Sequence, residues 1–318
     1  IYTTINSANL ILKHTPEISF TNEATRSEVM ANAYFLRAYC YFTLVRVFGD
    51  CPLLTSGFES EKQEDMYPSR TAASEVYAQV ETDIEEALRL MPASSKLLHK
   101  ASPAAINMLR TEYYLWKAKR LGGGNAALST AQSSVDAVLK AGYTLLPTFA
   151  DIFNLNNEAN SELIWTLPYI VNENVTPGTS PNFFAYYLAP NGDRTRLREA
   201  GYTEDEVPAG SHAQYVVPTQ AYCDFLAEDA RDTRTDVSVR VFEDKFLTEE
   251  VQIKRMVVKF KGSFANDTRS FDSDVPVYRL AEAYLLKAEV ENALGNTDAA
   301  LQNLNVVAKR AYGVDNYY

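Results

Sequence analysis

The segment from residue 23 to residue 52 reads EATRSEVMANAYFLRAYCYFTLVRVFGDCP, and it decides the class of fold. Apolar and small residues recur in it at spacings of three and four, the period of one face of an α-helix. The positions that follow this period are Val29, Ala33, Leu36, Cys40, Leu44 and Val47. Gly49 and Pro52 end the pattern, because glycine caps helices and proline prevents their continuation. The segment therefore predicts a long helix over residues 23–48.

The same periodicity extends from this helix toward both ends of the chain. It predicts further helices at 1–14, 72–91, 102–121, 126–141, 276–294 and 297–312. The middle of the chain differs, because it contains seven prolines and short apolar runs, such as 163–167, that resemble strands. The expected fold class is mainly α. One domain over 1–318 would comprise a helical scaffold, at 1–142 and 276–318, and an irregular region at 143–275.

A spacing typical of tetratricopeptide helix pairs occurs three times. The pattern is complete once, at Ala288, Gly295, Ala300, Leu304 and Val307, and its second half recurs at Ala131, Val135 and Val138 and at Val80, Ile84 and Ala87. Small residues at these positions let two helices approach closely, while larger ones fill the groove between them. The repeats predict a scaffold of stacked helix pairs.

The composition of the 318-residue chain narrows the range of partners. A formal net charge of −11 and a pI of about 4.9 argue against nucleic acid, whose phosphates an acidic surface repels. The sequence contains no run of about 20 apolar residues, so it predicts no membrane span. Three cysteines without C-x-x-C spacing favour neither a disulfide framework nor a zinc site. The 20 tyrosines are suited to packing at helix contacts or to stacking on sugars.

Motifs of catalysis are missing from the sequence. It contains no G-x-S-x-G elbow, phosphate-binding loop or G-x-G-x-x-G motif, and Gly122–Gly124 reads as a turn between helices. His14, His99 and His212 lie far apart in the sequence and show no metal-ligand spacing. A glycoside hydrolase needs two opposed carboxylates, and nothing singles out a pair among the 41 acidic residues. We therefore expect no enzyme, no metal and no cofactor.

Residues 31–54 resemble the first long helix of the SusD/RagB family and its R-A-x-x-Y-F-x-L-V-R-x-F-G-D-x-P-L ending. The resemblance continues in collinear order over nearly the whole chain. The other matching segments are Tyr67–Arg70, Val76-Tyr77, Asp83–Ala87, Leu90–Pro92, Val217–Thr219, Asp229–Arg231, Val275–Glu289, Gly295-Asn296 and Ala299–Leu301.

The resemblance implies a SusD-like fold, in which tetratricopeptide-like helix pairs support a less regular, ligand-facing region. It implies a surface lipoprotein of the outer membrane, of the Bacteroidetes type, held to the membrane only by a lipid anchor. Such a protein captures oligosaccharides or polysaccharides for a SusC-type TonB-dependent transporter. The family's lipidated amino-terminal cysteine and its segment beyond the last helix pair are not found here, so we expect both termini of the full protein to be missing.

Two alternatives to glycan capture stay open at this point. A helical-repeat protein of this kind could cap a transporter for a peptide ligand, with no sugar site of its own. A hydrolase acting on glycans is the other reading.

The best candidates for ligand contact lie in residues 172–202, a part of the longest stretch without periodicity, which covers residues 171–215. Long irregular segments in compact folds are often functional, and sugar recognition uses rings for stacking together with amides or guanidinium groups for hydroxyls. The candidates are Asn182, Phe184, Tyr186, Tyr187, Asn191, Arg194 and Tyr202. The alternative is that rings such as Phe183 and Tyr187 anchor the loop to the scaffold.

Other distinctive residues are interpreted as structural. The Phe48-Gly49-Asp50 sequence is expected to end the long helix and redirect the chain. Buried or half-buried ion pairs are predicted for the arginines on apolar helices, which are Arg37, Arg46 and Arg279. Core positions are predicted for Cys40 and Trp165.

Overall fold

The computed structural model describes residues 1–60, 67–170, 186–187, 198, 201–203, 206, 209–210, 217–244, 252–266, 268–270 and 272–318. The chain divides into two compact units. The helical unit comprises Ile1–Tyr143 and Tyr278–Asn303, and the mixed unit comprises Thr144–Val277 and Leu304–Tyr318. A single domain over 1–318 stays a prediction.

Helices dominate the described residues, as the periodicity predicts. Their bounds are α1 Tyr2–His14, α2 Glu23–Phe48, α3 Ala73–Leu90, α4 Pro103–Arg120, α5 Gly124–Leu139, α6 Gln220–Ala227, α7 Thr235–Ser238, α8 Leu280–Ala293 and α9 Thr297–Tyr312. None of the helices in these described ranges is both long and apolar enough to cross a membrane. The prediction of a helix from residue 276 is wrong at its start, because Val275–Arg279 forms a strand and α8 begins at Leu280.

The long helix α2 is buried on several sides and not along a single stripe. Asn22 begins it, since its side chain accepts a hydrogen bond from the Ala24 amide at 2.8 Å. Gly49 ends it with φ of +66°, in the region that favours glycine. Its buried residues include consecutive positions at Cys40–Phe42, because α1, α3 and α4 all pack against it. Val47 was predicted on the apolar face, but 67% of its surface is exposed.

Three helices of the helical unit share one cluster of buried apolar residues. Leu115 of α4, Leu128 and Ala131 of α5, and Val290 of α8 form one buried cluster. The α4–α5 turn runs through Gly122–Gly124, so the reading of these glycines as a helix–helix turn is confirmed. The α8 helix, near the end of the chain, therefore packs against helices formed by residues 103–139.

The mixed unit contains short strands joined by irregular segments. The strands are β1 Leu163–Leu167, β2 Tyr186–Tyr187, β3 Ala209–Gly210, β4 Val239–Asp244, β5 Gln252–Val257, β6 Ser263–Ala265, β7 Thr268–Ser270 and β8 Val275–Arg279. They pair as β1–β8, β2–β3, β4–β5 and β6–β7. Trp165 on β1 is buried, as predicted. A buried ion pair between Glu162 and Arg310 of α9 fixes the start of β1.

Two consecutive Asp-x-Arg turns also stabilise this unit. Asp229 accepts hydrogen bonds from the backbone amide and the guanidinium of Arg231, and Asp232 does the same for Arg234. Arg234 also donates to the Tyr312 hydroxyl at 2.9 Å. This geometry explains why the Asp-Ala-Arg segment is structural, since each carboxylate fixes its own turn.

Candidate functional site

The structure tests the predicted 172–202 site only in small part. Asn182, Phe184, Asn191 and Arg194, together with Phe183, lie outside the described residues. Tyr186 and Tyr187 form β2, whose backbone pairs in parallel with Ala209–Gly210. This pairing brings the 186–187 segment beside residue 209, a proximity that the sequence did not indicate.

Tyr202 is the member of the predicted set whose side chain is described. Its ring is half-buried and meets the ring of Phe242 on β4 edge to face, with 5.8 Å between the centroids and 66° between the planes. Phe242 itself is buried. The Phe242 contact covers part of the Tyr202 ring and leaves part of it open to solvent. The role of all seven residues in ligand binding stays a prediction.

A cleft of about 630 Å³ lies in the helical unit, beside the amino-terminal half of α1. Its volume is within the range of pockets that hold small ligands. We call it the α1 cleft. Its lining residues come from α1 and from the loop that follows α2, and they are Tyr2, Thr3, Asn6, Pro52, Leu54, Phe58, Glu59, Ser60, Tyr67 and Pro68.

One side of the α1 cleft is formed by residues 51–59, the wall segment, which has no regular secondary structure beyond one bridge. Cys51 and Thr71 exchange two backbone hydrogen bonds, of 3.3 and 3.0 Å, and so close the base of the loop. Asp50 accepts a hydrogen bond from the Ala73 amide at 2.8 Å, which caps α3. The structural interpretation of Phe48-Gly49-Asp50 agrees with this arrangement.

Asparagine side chains of α1 hold the wall segment in place of a neighbouring strand. Asn6 donates to the Phe58 carbonyl at 3.0 Å and accepts from the Phe58 amide at 2.7 Å. The buried Asn9 donates to the Leu54 and Ser56 carbonyls at 2.9 and 3.2 Å. Backbone polar groups that leave water need such partners, and amides can both donate and accept. The wall is therefore held from its middle to its end.

Tyrosine hydroxyls fix the beginning of the wall segment. Tyr2 donates to the Pro52 carbonyl at 2.9 Å, and burial raises the pKa of Tyr2 to about 12, so its hydroxyl remains a donor at neutral pH. Tyr41 of α2 donates to the Leu54 carbonyl at 2.9 Å and accepts from the Leu54 amide at 2.6 Å. Both tyrosines bond backbone groups, so their rings are held in fixed positions.

Arg37 connects this arrangement to the helical core. Its guanidinium donates to both carboxylate oxygens of Asp83 on α3, at 2.8 and 2.6 Å, and to Asn9 at 2.7 Å. All three residues are buried. The predicted buried ion pair is confirmed for Arg37. The same prediction is wrong for Arg46, which is exposed and lies over the Phe42 ring at 4.0 Å; Arg279 is half-buried near Glu282.

The wall segment approaches α1 so closely at Gly57 that no side chain would fit there. A Cβ atom at Gly57 would lie 2.7 Å from Cδ2 of Leu10 and 2.9 Å from its backbone nitrogen. Contacts below 3.0 Å with a backbone atom require the backbone to move. Glycine at position 57 therefore permits the close contact that shapes the α1 cleft.

Charged groups at the rim of the cleft neutralise one another. Glu59 Oε1 accepts from Lys13 Nζ at 2.8 Å and lies 2.6 Å from His14 Nε2. Hydrogen bonds to Glu59 and Glu17 raise the pKa of His14, while those from Lys13 and His14 lower the pKa of Glu59. All four groups are exposed, so each pair contributes little to stability. Their arrangement nevertheless sets the charge that a ligand meets.

The lining of the α1 cleft is suited to contact with a ligand. Its lining combines aromatic rings and prolines with a few polar groups, and the Tyr67 side chain is 87% exposed. Among the described residues, no three His, Cys, Asp or Glu side chains are grouped as a metal site would require. Such a surface can stack on a ring-shaped ligand and bond its hydroxyls.

Sequence reasoning did not identify this cleft, because it placed the ligand in residues 172–202. Two features of the sequence point to residues of this cleft. Asn6 and Asn9 lie three positions apart on the same face of a helix, where buried amides need partners. Tyr67 precedes Pro68 in a segment without helical periodicity. Neither signal names the wall segment as the partner, since the contacts span 45 to 52 positions.

Comparisons with known proteins bear on both ends of the chain. A SusD-like family model, described as "Starch-binding associating with outer membrane", matches residues 1–114, which include every lining residue of the α1 cleft. The model of the SusD family, SusD_RagB, matches residues 246–317.

Two relatives from Formosa agariphila match nearly the whole chain. SusD-like protein P25 is 26% identical over 98% of this chain and 61% of its own length. SusD-like protein P38 is 28% identical over 96% of this chain and 60% of its own length. The chain thus spans about three fifths of the length of these relatives.

Solved structures with the same fold include two from Bacteroides species. NanU of B. fragilis is 27% identical with a TM-score of 0.83, over 98% of this chain and 64% of that one. A SusD superfamily protein from Bacteroides vulgatus is 28% identical with a TM-score of 0.81, over 98% of this chain and 65% of that one. Sequence and fold together support a SusD/RagB family protein.

Proposed function

We propose that this protein is a surface glycan-binding protein that captures oligosaccharides and delivers them to a SusC-type TonB-dependent transporter. The observation that carries the proposal is the α1 cleft, whose lining lies wholly within the residues that match a starch-binding family model. The chain spans about three fifths of the length of its relatives, and the proposal concerns what residues 1–318 contribute.

The lining of the α1 cleft supports sugar binding on physical grounds. Each sugar hydroxyl exchanges hydrogen bonds with water for bonds with protein, at little net gain. Contact between the ring face and an aromatic side chain then supplies much of the affinity. Tyr2 is held in place by its bond to Pro52, and Tyr67 offers an exposed ring. A cleft with a fixed ring and an accessible ring suits such a ligand.

The fold also accommodates oligosaccharides in another protein. Surface glycan-binding protein A of Bacteroides thetaiotaomicron, solved in complex with laminarihexaose, shares the fold with a TM-score of 0.73 at 18% identity. The match covers 98% of this chain and 68% of that one. The likeness supports the fold's capacity for such ligands and names no ligand for this chain.

The predicted contact residues between Asn182 and Tyr202 are proposed as a second region of ligand contact. Partial exposure of the Tyr202 ring is compatible with stacking. Attachment to the outer membrane as a lipoprotein, and partnership with the transporter, rest on the family and on its description as associating with the outer membrane. The likeness to the same family supports a role for the protein as a binding subunit without catalysis.

A binding experiment with hexasaccharides tests the proposal. The chain would be titrated calorimetrically with laminarihexaose, maltohexaose, mannohexaose and xylohexaose. We expect saturable binding of at least one of them, with no release of reducing ends over a long incubation. Absence of binding to all four, together with saturable binding of a peptide library, would replace glycan capture with the peptide-binding alternative. Release of reducing ends would instead support the hydrolase.

A further inference from the structure

The α1 cleft carries a more specific inference about the class of sugar, which rests on the proposed function. We infer that the cleft receives an uncharged sugar ring stacked on Tyr67 and discriminates against acidic sugars. Three properties of the described residues lead to this conclusion: the exposure of Tyr67, the commitment of the polar lining groups, and the pairing of the rim charges.

Tyr67 is the most exposed of the large apolar and aromatic side chains in the described part of the chain. With 87% of its surface open, the ring gains almost nothing from packing in the free protein. It nevertheless stands in the lining of the α1 cleft, next to the half-buried Pro68. A flat ring in this position offers one face to a ligand with axial C–H groups. Tyr67 is therefore the stacking residue of the site.

The polar lining groups are mostly committed to the wall segment. Asn6 uses its amide nitrogen and its oxygen on Phe58, and the Tyr2 hydroxyl donates to Pro52. The exposed hydroxyl side chain of Thr3 lies at the cleft and can exchange bonds with a sugar hydroxyl. Few strong polar contacts are thus offered, so apolar stacking dominates the affinity.

The charges at the cleft disfavour an anionic ligand. Of the ten lining residues, Glu59 alone carries a charge, and that charge is negative. Lys13 and His14 both contact Glu59, and His14 also faces Glu17. Arg70 donates to the Asp50 carbonyl and keeps its positive charge, but it is not a described lining residue. A uronate or sulfate entering the cleft would meet no cation among the described lining residues, in a chain of net charge −11.

Two substitutions test the inference with the hexasaccharide panel used above and with hexagalacturonate as the acidic probe. Tyr67→Ala should weaken binding of the neutral hexasaccharide at least about tenfold, by analogy with buried aromatic anchors at interfaces. Glu59→Gln should release Lys13 and His14 and raise the affinity for hexagalacturonate at least about threefold. Because Tyr67 is exposed, Tyr67→Ala should keep the thermal midpoint of the wild type.

Tyr222→Ala is the matched control. Tyr222 is an exposed ring of α6 and is not among the described lining residues, so its removal should leave binding unchanged. If a neutral hexasaccharide binds and Tyr67→Ala leaves its affinity intact, the inference is overturned while the proposed function stands. Equal affinity of the wild type for hexagalacturonate and the neutral sugar overturns it as well. If only hexagalacturonate binds, the inference is overturned while the proposed function stands, and if no hexasaccharide of either kind binds, the proposed function itself fails.

Discussion

The wall segment and the α4–α5–α8 cluster both belong to the helical unit, but different chemistry holds them. In the cluster, Leu128 and Val290 pack with Leu115 and Ala131, and the helices satisfy their own backbone groups. In the wall segment, backbone groups depend on side chains such as Asn6 and Asn9. Apolar contacts are numerous and individually replaceable, whereas each of these amides serves particular backbone atoms. Irregular structure is thus held firmly with little redundancy.

The largest effect should follow from breaking the buried pair that supports the wall segment. Asp83→Asn leaves the Arg37 guanidinium buried without its carboxylate, because both side chains are almost inaccessible to water. We expect the free energy of unfolding to fall by about 3–5 kcal/mol in urea denaturation. Glu86→Gln, which removes the exposed partner of Arg89, should cost less than about 1 kcal/mol. Similar losses for the two variants would contradict the assigned role of Asp83.

The next largest effect should separate stability from ligand binding. Leu128→Ala creates a cavity in the α4–α5–α8 cluster, and we expect the free energy of unfolding to fall by about 2–4 kcal/mol. Affinity for the neutral hexasaccharide should not change below the melting temperature, because the wall segment does not depend on this cluster. Leu121→Ala, at a side chain that is 41% exposed, is the control and should be nearly neutral. Loss of binding by Leu128→Ala would show that the two regions are coupled.

A pH-dependent contribution to stability is expected from Glu282 of α8. Burial, and secondarily the charge of Glu112, raise the pKa of Glu282 from 4.5 to about 7, while Arg279 opposes the shift. Folding therefore takes up a proton between these values. The stabilisation is fully present below about pH 4.5 and is lost as the pH rises through about 7.

Replacing the Glu282 carboxylate with an uncharged amide should remove the loss of stability at high pH. Glu282→Gln should raise the free energy of unfolding at pH 8 by roughly 2–3 kcal/mol and by much less at pH 4.5. Urea denaturation across this pH range measures it. Glu289→Gln, at an exposed position of the same helix, should leave the pH profile unchanged. A gain of equal size at both pH values would rule out titration of Glu282 as the cause.

Asn6→Ala should change stability the least of these variants, but it should also weaken ligand binding. Asn6→Ala removes two hydrogen bonds to Phe58, and at this half-buried site we expect a cost of about 1–2 kcal/mol. Amide exchange at Phe58 should accelerate, and affinity for the neutral hexasaccharide should fall because the wall of the cleft loosens. Ser7→Ala, at an exposed neighbouring position, is the control. Unchanged exchange at Phe58 would show that Asn6 does not position the wall segment.

The helices could be predicted from the sequence because their signal is local. The bounds of α2 and α9 agree with the prediction, and the starts and ends of α3 and α4 differ from it by one residue. The start of α8 was missed because Val275–Arg279 pairs with β1, more than 100 positions earlier in the chain. Proline at position 276 also resembles the first residue of a helix. Pairing with a distant strand determines the secondary structure of such a segment, and local periodicity carries no information on that pairing.

The α1 cleft could not be predicted for the same physical reason. Each of its supporting bonds joins α1 or α2 to a loop whose own sequence shows no periodicity. Asn6, Asn9 and Gly57 are ordinary residues until their partners are known. The buried ion pair of Arg37 was anticipated from an arginine on an apolar helix, but the identity of Asp83 was not. Aromatic residues at 182–202 attracted attention by composition alone, and their role stays a prediction.

The position of Arg37 also constrains the order in which the chain folds. Its partners Asn9 and Asp83 are 28 and 46 positions away, so the guanidinium is satisfied only after α1, α2 and α3 have met. Burial before that encounter would leave the charge uncompensated, which makes partly assembled intermediates unstable. Closing these long loops costs entropy before the contacts reward it. We therefore expect helices to form early and the wall segment to become ordered last, in a step whose rate is set by the meeting of three helices.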